Sequence, residues 1–242
     1  MISIIICCYN EKPIIETTWN KLKKAVEHLD KYEIIFVNDG STDKTLEKLR
    51  NLNWEEHHSE LDHHPVNIIT YEENKGYGHA LQIGLKKAVG DIIITLDADL
   101  AMNELEVIKR SITNLEFYDV CIFSRHQGMK AEYPLSRKIA SWGYRMVNNI
   151  LLGIPFKDTQ SGFLAFKKSA LKGIDLKLDD FSILVEMVAK FYNAGLNIKI
   201  IEVPIKFIHD TTSGETSIMK SVWKMFRNTL RIRGMVKSNN TN

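Results

Sequence analysis

Apolar residues along this chain fall into short runs that stop abruptly at turn-forming residues. The clearest are SIIICC (3–8), EIIFV (33–37), VNIIT (66–70), DIIITL (91–96) and DVCIF (119–123). Runs of four to six residues, rich in β-branched side chains and apolar at successive positions, predict strands buried on both faces. Helical periodicity separates the first four, over 14–29, 42–51 and 77–89, and a further helix over 104–116 precedes the fifth. Strands alternating with helices predict parallel β-α-β units, so the first 125 residues read as an open, mostly parallel α/β sheet flanked by helices. The second half is less regular. A helix is expected over 135–152, strands over 162–167 and 197–208 with a helix over 182–194 between them, and a last helix from about 216 to 236. Nothing resembles a linker or an internal repeat. The pattern predicts one domain over 1–215 with a C-terminal helix and tail over 216–242.

In open α/β sheets ligands bind beyond the carboxyl ends of the strands. Those ends read YNE (9–11), NDGSTD (38–43) and DADL (97–100), so three strands deliver acidic residues to one edge. Asp97 and Asp99 draw the most attention. On an extended chain residues i and i+2 face the same way, which would set two carboxylates side by side. Such a pair repels itself unless one member holds a proton or a cation sits between them. A hard cation such as Mg²⁺ or Mn²⁺ suits the role, because it accepts a few carboxylate oxygens and fills its shell with water and phosphate. The alternative is that the pair caps the helix beginning near Asn103, since aspartate favours helix N-termini. Asp39 lies on a strand tip, where its carboxylate can accept a hydrogen bond from a nucleobase N–H. Behind it Gly40 permits a tight turn, and Ser41, Thr42 or Asp43 can cap the next helix. Gly76 and Gly78 open another helix in ENKGYGHALQIGL (73–85), but no Walker lysine follows, and no full dinucleotide fingerprint follows the first strand.

Composition narrows the picture. The 242 residues carry 32 Lys and Arg against 30 Asp and Glu, a net charge of +2, which supplies no field for nucleic acid. Cys7 and Cys8 are adjacent on a strand and point to opposite faces, and with Cys121 they make an odd set, as expected of reduced thiols in a cytosolic protein. No stretch approaches the ~18 apolar residues that span a bilayer, and MISIIICCYNE lacks the basic start of a signal peptide. The histidine-rich HHSELDHH (57–64) reads as a solvated loop rather than a metal site.

Seven segments in order carry a resemblance: CCYNE, FVNDGSTD, NKGYGHALQIGL, GDIIITLDADL, SR (124–125), DTQSGF (158–163) and EVPIKF (202–207). Together they resemble the family-2 glycosyltransferases, and most closely the dolichyl-phosphate mannose synthase and polyprenyl-phosphate sugar transferase branch. The resemblance implies a GT-A fold, with a nucleotide-binding half over 1–125 and an acceptor half over 126–215. It implies a nucleotide-sugar donor, GDP- or UDP-linked, and a divalent metal, Mg²⁺ or Mn²⁺, held by Asp97 and Asp99. It further implies nucleoside contacts from Tyr9, Asn10, Glu11 and Asp39, and donor contacts from Asn74, Gly76 and Ala98. Arg125 and Arg137 match phosphate-binding arginines, and Ser141 joins Arg137 at an acceptor phosphate. Asp158 is a candidate base or acceptor-positioning residue, whereas Glu186 suits a buried polar partner on its apolar helix.

Two helices bear on the acceptor. In 135–152, Arg137, Ser141, Tyr144 and Asn148 share one face; Ile139, Trp142, Met146 and Ile150 share the other, which packs inward or against lipid. In the last helix Lys220, Lys224, Arg227 and Arg231 form a basic stripe beside Met219, Val222, Trp223, Phe226 and Leu230. A basic amphipathic helix suits an anionic membrane surface, and it equally suits a terminal helix packed on its own domain. The expected acceptor is a lipid phosphate, with the protein cytoplasmic and peripheral at the inner membrane face. Rival readings are a soluble or glycan acceptor, a nucleotidyltransferase, and a non-catalytic nucleotide-binding regulator. The chain departs from the branch at Ala101, where a further metal ligand is usual, and in FIHDTTSGETSI (207–218), where a G-x-S-K element and an arginine are usual.

Overall fold

The computed structural model describes residues 1–52, 66–100, 103–124, 135–193, 198–205 and 218–239; of 135–141, 218–223, 225 and 237–239 it describes the backbone alone. Seven strands form one sheet: β1 (Ile2–Cys8), β2 (Tyr32–Asp39), β3 (Val66–Tyr71), β4 (Ile92–Asp97), β5 (Val120–Ser124), β6 (Leu164–Lys167) and β7 (Ile200–Pro204). Their order across the sheet is β3-β2-β1-β4-β6-β5-β7. β1, β2, β3 and β4 are mutually parallel, whereas β6 runs against both β4 and β5. The chain builds outward from β1 to β3, then returns to place β4 on the other side of β1. That reversal opens a crevice at the carboxyl ends of β1 and β4, the place where such sheets bind ligands.

Alternation along the central strands feeds two cores. Ile4, Ile6 and Cys8 of β1, with Ile34 and Phe36 of β2, face α1 (Ile15–Val26) and α4 (Glu104–Leu115). Ile5, Ile35 and Val37 face the opposite layer, which includes α3 (Tyr77–Lys87), α6 (Ser182–Asn193) and α7 (Ile218–Asn239). Both faces are covered, which explains why the strands read as continuous apolar runs rather than as alternating ones. Cys7 and Cys8 fall on opposite sides, as their adjacency requires. The short α2 (Thr45–Arg50) completes the first layer, its Leu49 reaching the first core.

In two helices the structure chooses between alternatives that the sequence left open. α5 (Leu135–Leu152) has the expected bounds, but its apolar stripe points outward: Trp142 is 57% exposed, Met146 47% and Ile150 68%. The face turned inward holds Asn148, fully buried, whose amide donates to Thr159 Oγ1 at 3.2 Å and accepts from Thr229 Oγ1 at 2.9 Å. A buried amide with both ends satisfied fixes the rotation of the helix, because leaving it unpaired in a core would cost roughly 1–3 kcal/mol. α7 packs against α5 and α6. Its inward residues are Asn228, Thr229, Ile232 and Val236, while Leu230 is 44% exposed and so lies outside the face that packs. The final helix therefore shares the second core rather than standing apart from the domain.

Candidate active site

The site begins where the parallel strands end. Cys8 of β1 pairs in register with Asn38 of β2, and Cys7 with Asp97 of β4, so the three strands deliver their polar tips at one level. Directly after β1, Asn10 adopts a left-handed backbone (φ 58°) that turns the chain across the tip of β2. Its Oδ1 accepts from Thr42 N at 2.9 Å, and its own N–H donates to Ser41 Oγ at 3.0 Å. Glu11 N–H donates to Thr45 Oγ1 at 2.8 Å. Asp43 closes the first turn of α2, accepting from Thr45 N at 2.9 Å and Thr45 Oγ1 at 2.5 Å. Partial burial would raise the Asp43 carboxyl, but these bonds, with the N–H and charge of Lys12, outweigh it and hold the carboxyl below its usual range.

Asp39, the last residue of β2, is almost wholly buried. Its Oδ1 accepts from Tyr71 OH at 2.7 Å and Lys75 N at 2.8 Å; its Oδ2 accepts from Gly76 N at 2.9 Å and Asn74 Nδ2 at 3.0 Å. Four donors match the roughly four lone-pair positions of a carboxylate. Asn74 and Gly76 thus have a defined place in this chain: they hold Asp39 and are held by it. Burial, with the Asp39 carboxylate beside it, pushes the Tyr71 phenol upward and keeps it a donor.

The two glycines that open α3 serve close packing. Gly76 sits at φ 98°, and a Cβ there would overlap the carbonyl of Asp179. The N–H groups of Gly78 and His79 both point at that carbonyl, at 2.8 and 3.3 Å. The N-terminus of α3 is therefore capped by the 178–180 segment. That segment is anchored in turn by Glu186, fully buried on α6, which accepts from Lys177 N and Leu178 N and pairs with Lys190. Glu186 is the buried polar partner that its apolar surroundings predicted.

At β4 the structure corrects the extended-chain argument. The strand ends at Asp97, and a turn follows, closed by Leu100 N–H to Asp97 O at 3.1 Å with Leu100 at φ 46°. Strand alternation therefore does not carry through to Asp99. The helix-capping alternative fails as well: Asn103 caps α4, its Oδ1 accepting from Glu106 N at 3.1 Å. Ala98 is buried, and its carbonyl accepts from Thr18 Oγ1 of α1 at 2.5 Å, which ties the turn to the first layer. A Cβ on Gly162 would overlap the Asp97 carboxylate, so the SGF segment lies directly against it. Thr95 holds that segment, its hydroxyl donating to Gly162 O at 2.6 Å. Gly162 belongs to a motif visible in the sequence, but nothing there showed which strand it meets.

Electrostatics join the tips. Burial and then the negative charges of Asp99 and Asp43 push the Glu11 carboxyl above its usual range. Burial, Cys8, Asp97 and Asp39 push the Cys7 thiol up; burial, Asp97 and Cys7 do the same for the Tyr77 phenol. Glu11, Asp39, Asp97 and Asp99 thus act on one crevice. Tyr9 is half exposed at its mouth. Among the described residues no three His, Cys, Asp or Glu side chains are arranged to hold a metal by themselves.

Asp158 is buried; its N–H and that of Lys157 donate to Glu202 of β7 at 2.9 and 3.0 Å. Arg125 follows the last residue of β5 and lies outside the described residues, as do Ala101, the 57–64 segment and 206–217. Arg137 and Ser141 are on α5, but their side chains lie outside the described set. No helix among the described residues is long and apolar enough to cross a membrane.

Comparison with known proteins fits this geometry. The glycosyl transferase family 2 model matches residues 3–175. A dolichol-phosphate mannosyltransferase of Pyrococcus furiosus is 34% identical over 237 residues, 96% of this chain and 63% of that protein, so this chain spans less than two thirds of that relative. A UDP-N-acetylglucosamine–dolichyl-phosphate N-acetylglucosaminyltransferase of Methanococcus voltae is 33% identical over 223 residues, 86% of each. The structure resembles glucosyl-3-phosphoglycerate synthase of Mycobacterium tuberculosis in complex with Mn²⁺, UDP and phosphoglyceric acid, with a TM-score of 0.69 over 96% of this chain and 76% of that one, at 17% identity. That likeness is one of fold, the GT-A architecture that the sequence motifs implied.

Proposed function

The chain belongs to glycosyl transferase family 2, and on that premise we propose that it moves a hexose from a GDP- or UDP-linked sugar to a polyprenyl or dolichyl phosphate at a membrane surface, with inversion at the anomeric carbon. The observation that carries this reading is the convergence of Glu11, Asp39, Asp97 and Asp99 at the carboxyl ends of β1, β2 and β4, with Glu11 feeling the charge of Asp99. The lipid-phosphate acceptor draws support from the Pyrococcus and Methanococcus relatives, whose names specify such acceptors.

The residues fit a divalent cation. Glu11 is pushed up partly by like charge, and negative charge in excess is what a hard cation relieves. Mg²⁺ keeps several waters and binds through one or two carboxylates plus substrate phosphates, so two aspartates suffice. Held by Asp97 and Asp99, the ion would supply Lewis-acid stabilisation to the departing diphosphate. The remaining roles fall to the chain itself. Asp39, its carboxylate filled by four donors of its own chain, fixes the 74–76 loop behind the nucleoside wall of Tyr9, Asn10 and Glu11. Gly162 brings the acceptor-half backbone against Asp97, so donor and acceptor sides meet there. Arg125, Arg137 and Ser141 hold phosphate, arginine doing so through charge-assisted paired bonds. A lipid phosphate, with a second pKa of about 6, arrives already anionic and needs no strong base, which leaves Asp158 to position it.

The test is a thermal-shift panel of nucleotides and nucleotide sugars with Mn²⁺, followed by transfer from the best donor to a short-chain polyprenyl phosphate. Stabilisation by one nucleoside diphosphate and transfer to the lipid phosphate are expected. Binding without transfer to any acceptor would instead mark a nucleotide-binding regulator.

A further inference from the structure

Two consecutive residues of α7, Asn228 and Thr229, are polar, buried and turned to different partners. The next inward residues of the same helix, Ile232 and Val236, join the second core. Apolar side chains of similar shape could fill such positions at little cost in stability, whereas a satisfied polar pair fixes one geometry. Neighbours on a helix point about 100° apart, so the two side chains reach different flanks. Asn228 Nδ2 donates to Asp180 Oδ2 and to Ser182 Oγ, both at 3.0 Å, and Lys224, one turn earlier, pairs with the same carboxylate at 2.8 Å. Asp180 follows Asp179, whose carbonyl accepts from the N–H groups of Gly78 and His79 at the start of α3. Just before them, Gly76 donates its N–H to Asp39. Thr229 reaches the other flank: its hydroxyl donates to Asn148 Oδ1 on α5, and the Asn148 amide donates to Thr159 Oγ1. Thr159 lies between Asp158 and the SGF segment, whose Gly162 backbone abuts the Asp97 carboxylate.

We propose that Asn228 and Thr229 are positioning residues for the two substrates of the crevice. Asn228 sets the donor side: through Asp180 it fixes the Asp179 carbonyl that clamps α3, and with it the Gly76 turn that holds Asp39. Thr229 sets the acceptor side: through Asn148 it fixes Thr159, and with it the loop that bears Asp158 and Gly162. One turn of α7 is thus a joint between the two halves of the site, with a separate bond to each. Glu186 grips the neighbouring backbone at Lys177 and Leu178, so loss of Asn228 frees the 179–180 end and the start of α3 without unravelling the whole segment. Naming the two sides donor and acceptor rests on the transferase reading; the joint itself does not.

Backbone hydrogen exchange of the unliganded full chain tests the joint without any transfer. Asn228→Leu should speed exchange of the Gly76, Gly78 and His79 amides about tenfold or more and leave residues 158–163 as they were; Thr229→Val should do the reverse. Asn228→Ser should give the first pattern if the leucine variant does not fold, and Thr229→Ser, which keeps the hydroxyl, should restore the wild-type rates. Ile232→Ala opens a cavity on the same face of α7 without touching either set of bonds, so it should quicken both segments alike or neither. In transfer assays Asn228→Leu should raise KM for the nucleotide sugar about tenfold, and Thr229→Val KM for the polyprenyl phosphate, each leaving the other KM near wild type. Both segments quickening together in the two joint variants, or neither quickening, would overturn the proposal. So would Ile232→Ala reproducing the split, or both KM values moving together. If the wild type transfers no sugar at all, the transferase reading fails instead, and the exchange pattern alone decides the joint.

Discussion

The two acidic strand tips that flank β1 are built on opposite principles. At β2, the Asp39 carboxylate receives four donors from its own chain and is nearly sealed from water. At β4, the chain leaves the strand at Asp97 and folds into a tight turn, and the charge of Asp99, after burial, helps to push the Glu11 carboxyl up. At β2 one carboxylate is closed in by donors of its own chain; at β4 two carboxylates follow one another through a turn, and Asp99 acts on Glu11. A buried charge with its hydrogen bonds complete organises a loop, whereas a cluster of like charges stores repulsion that a cation can relieve. One acidic rim therefore contains a structural keystone and a candidate cation site.

The contrast is broken most severely at Asp39. Asp39→Ala strands two backbone N–H groups, a phenol and an amide in a closed space. It should lower stability by about 3 kcal/mol or more, read by urea denaturation. Asp39→Asn should recover only part, because its NH₂ faces donors. A loss under 1 kcal/mol would mean that water replaces the carboxylate easily. Gly76→Ala comes next: it forces a side chain into a positive-φ position against the Asp179 carbonyl, costing about 1–3 kcal/mol. Its melting temperature should fall while Gly143→Ala, at an open position on α5, leaves it unchanged or raised. The smallest effect belongs to Glu11. A carboxyl raised in the folded state favours the protonated native form, so it is neutral to stability in acid and costs stability as pH rises through its folded value. Glu11→Gln should therefore raise the melting temperature slightly at pH 7, by well under 1 kcal/mol after solvent screening, and not at pH 3. Saturating Mn²⁺ with nucleotide should erase the gain.

Much of this was legible in the sequence. Apolar runs ending in polar residues located the three strands that bear the crevice, and α5 has the expected bounds, because doubly buried strands and amphipathic helices leave local signals. What escaped depends on partners distant in the chain. Periodicity showed two faces on α5 but not which turns inward; the choice is made by Asn148 meeting Thr159 and Thr229. The same holds for α7, where Asn228 and Thr229 lie on the packed face and Leu230 on the open one. The antiparallel insertion of β6 between β4 and β5 has no local signature at all, yet it is what carries Gly162 to Asp97. For Asp97 and Asp99 the residues were visible and the backbone was not: strand alternation stops at Asp97, and a turn, not an extended strand, sets the place of Asp99.

The central claim is that Asp97 and Asp99 hold a divalent cation together with the diphosphate of the donor. The most direct measurement is Mn²⁺ binding by electron paramagnetic resonance, titrated with and without UDP or GDP, on wild type, Asp97→Asn and Asp99→Asn. The account predicts that nucleotide tightens Mn²⁺ binding to the wild type by tenfold or more and that either substitution removes this coupling while the fold melts as before. Mn²⁺ binding that ignores the nucleotide, or that survives both substitutions, would contradict it.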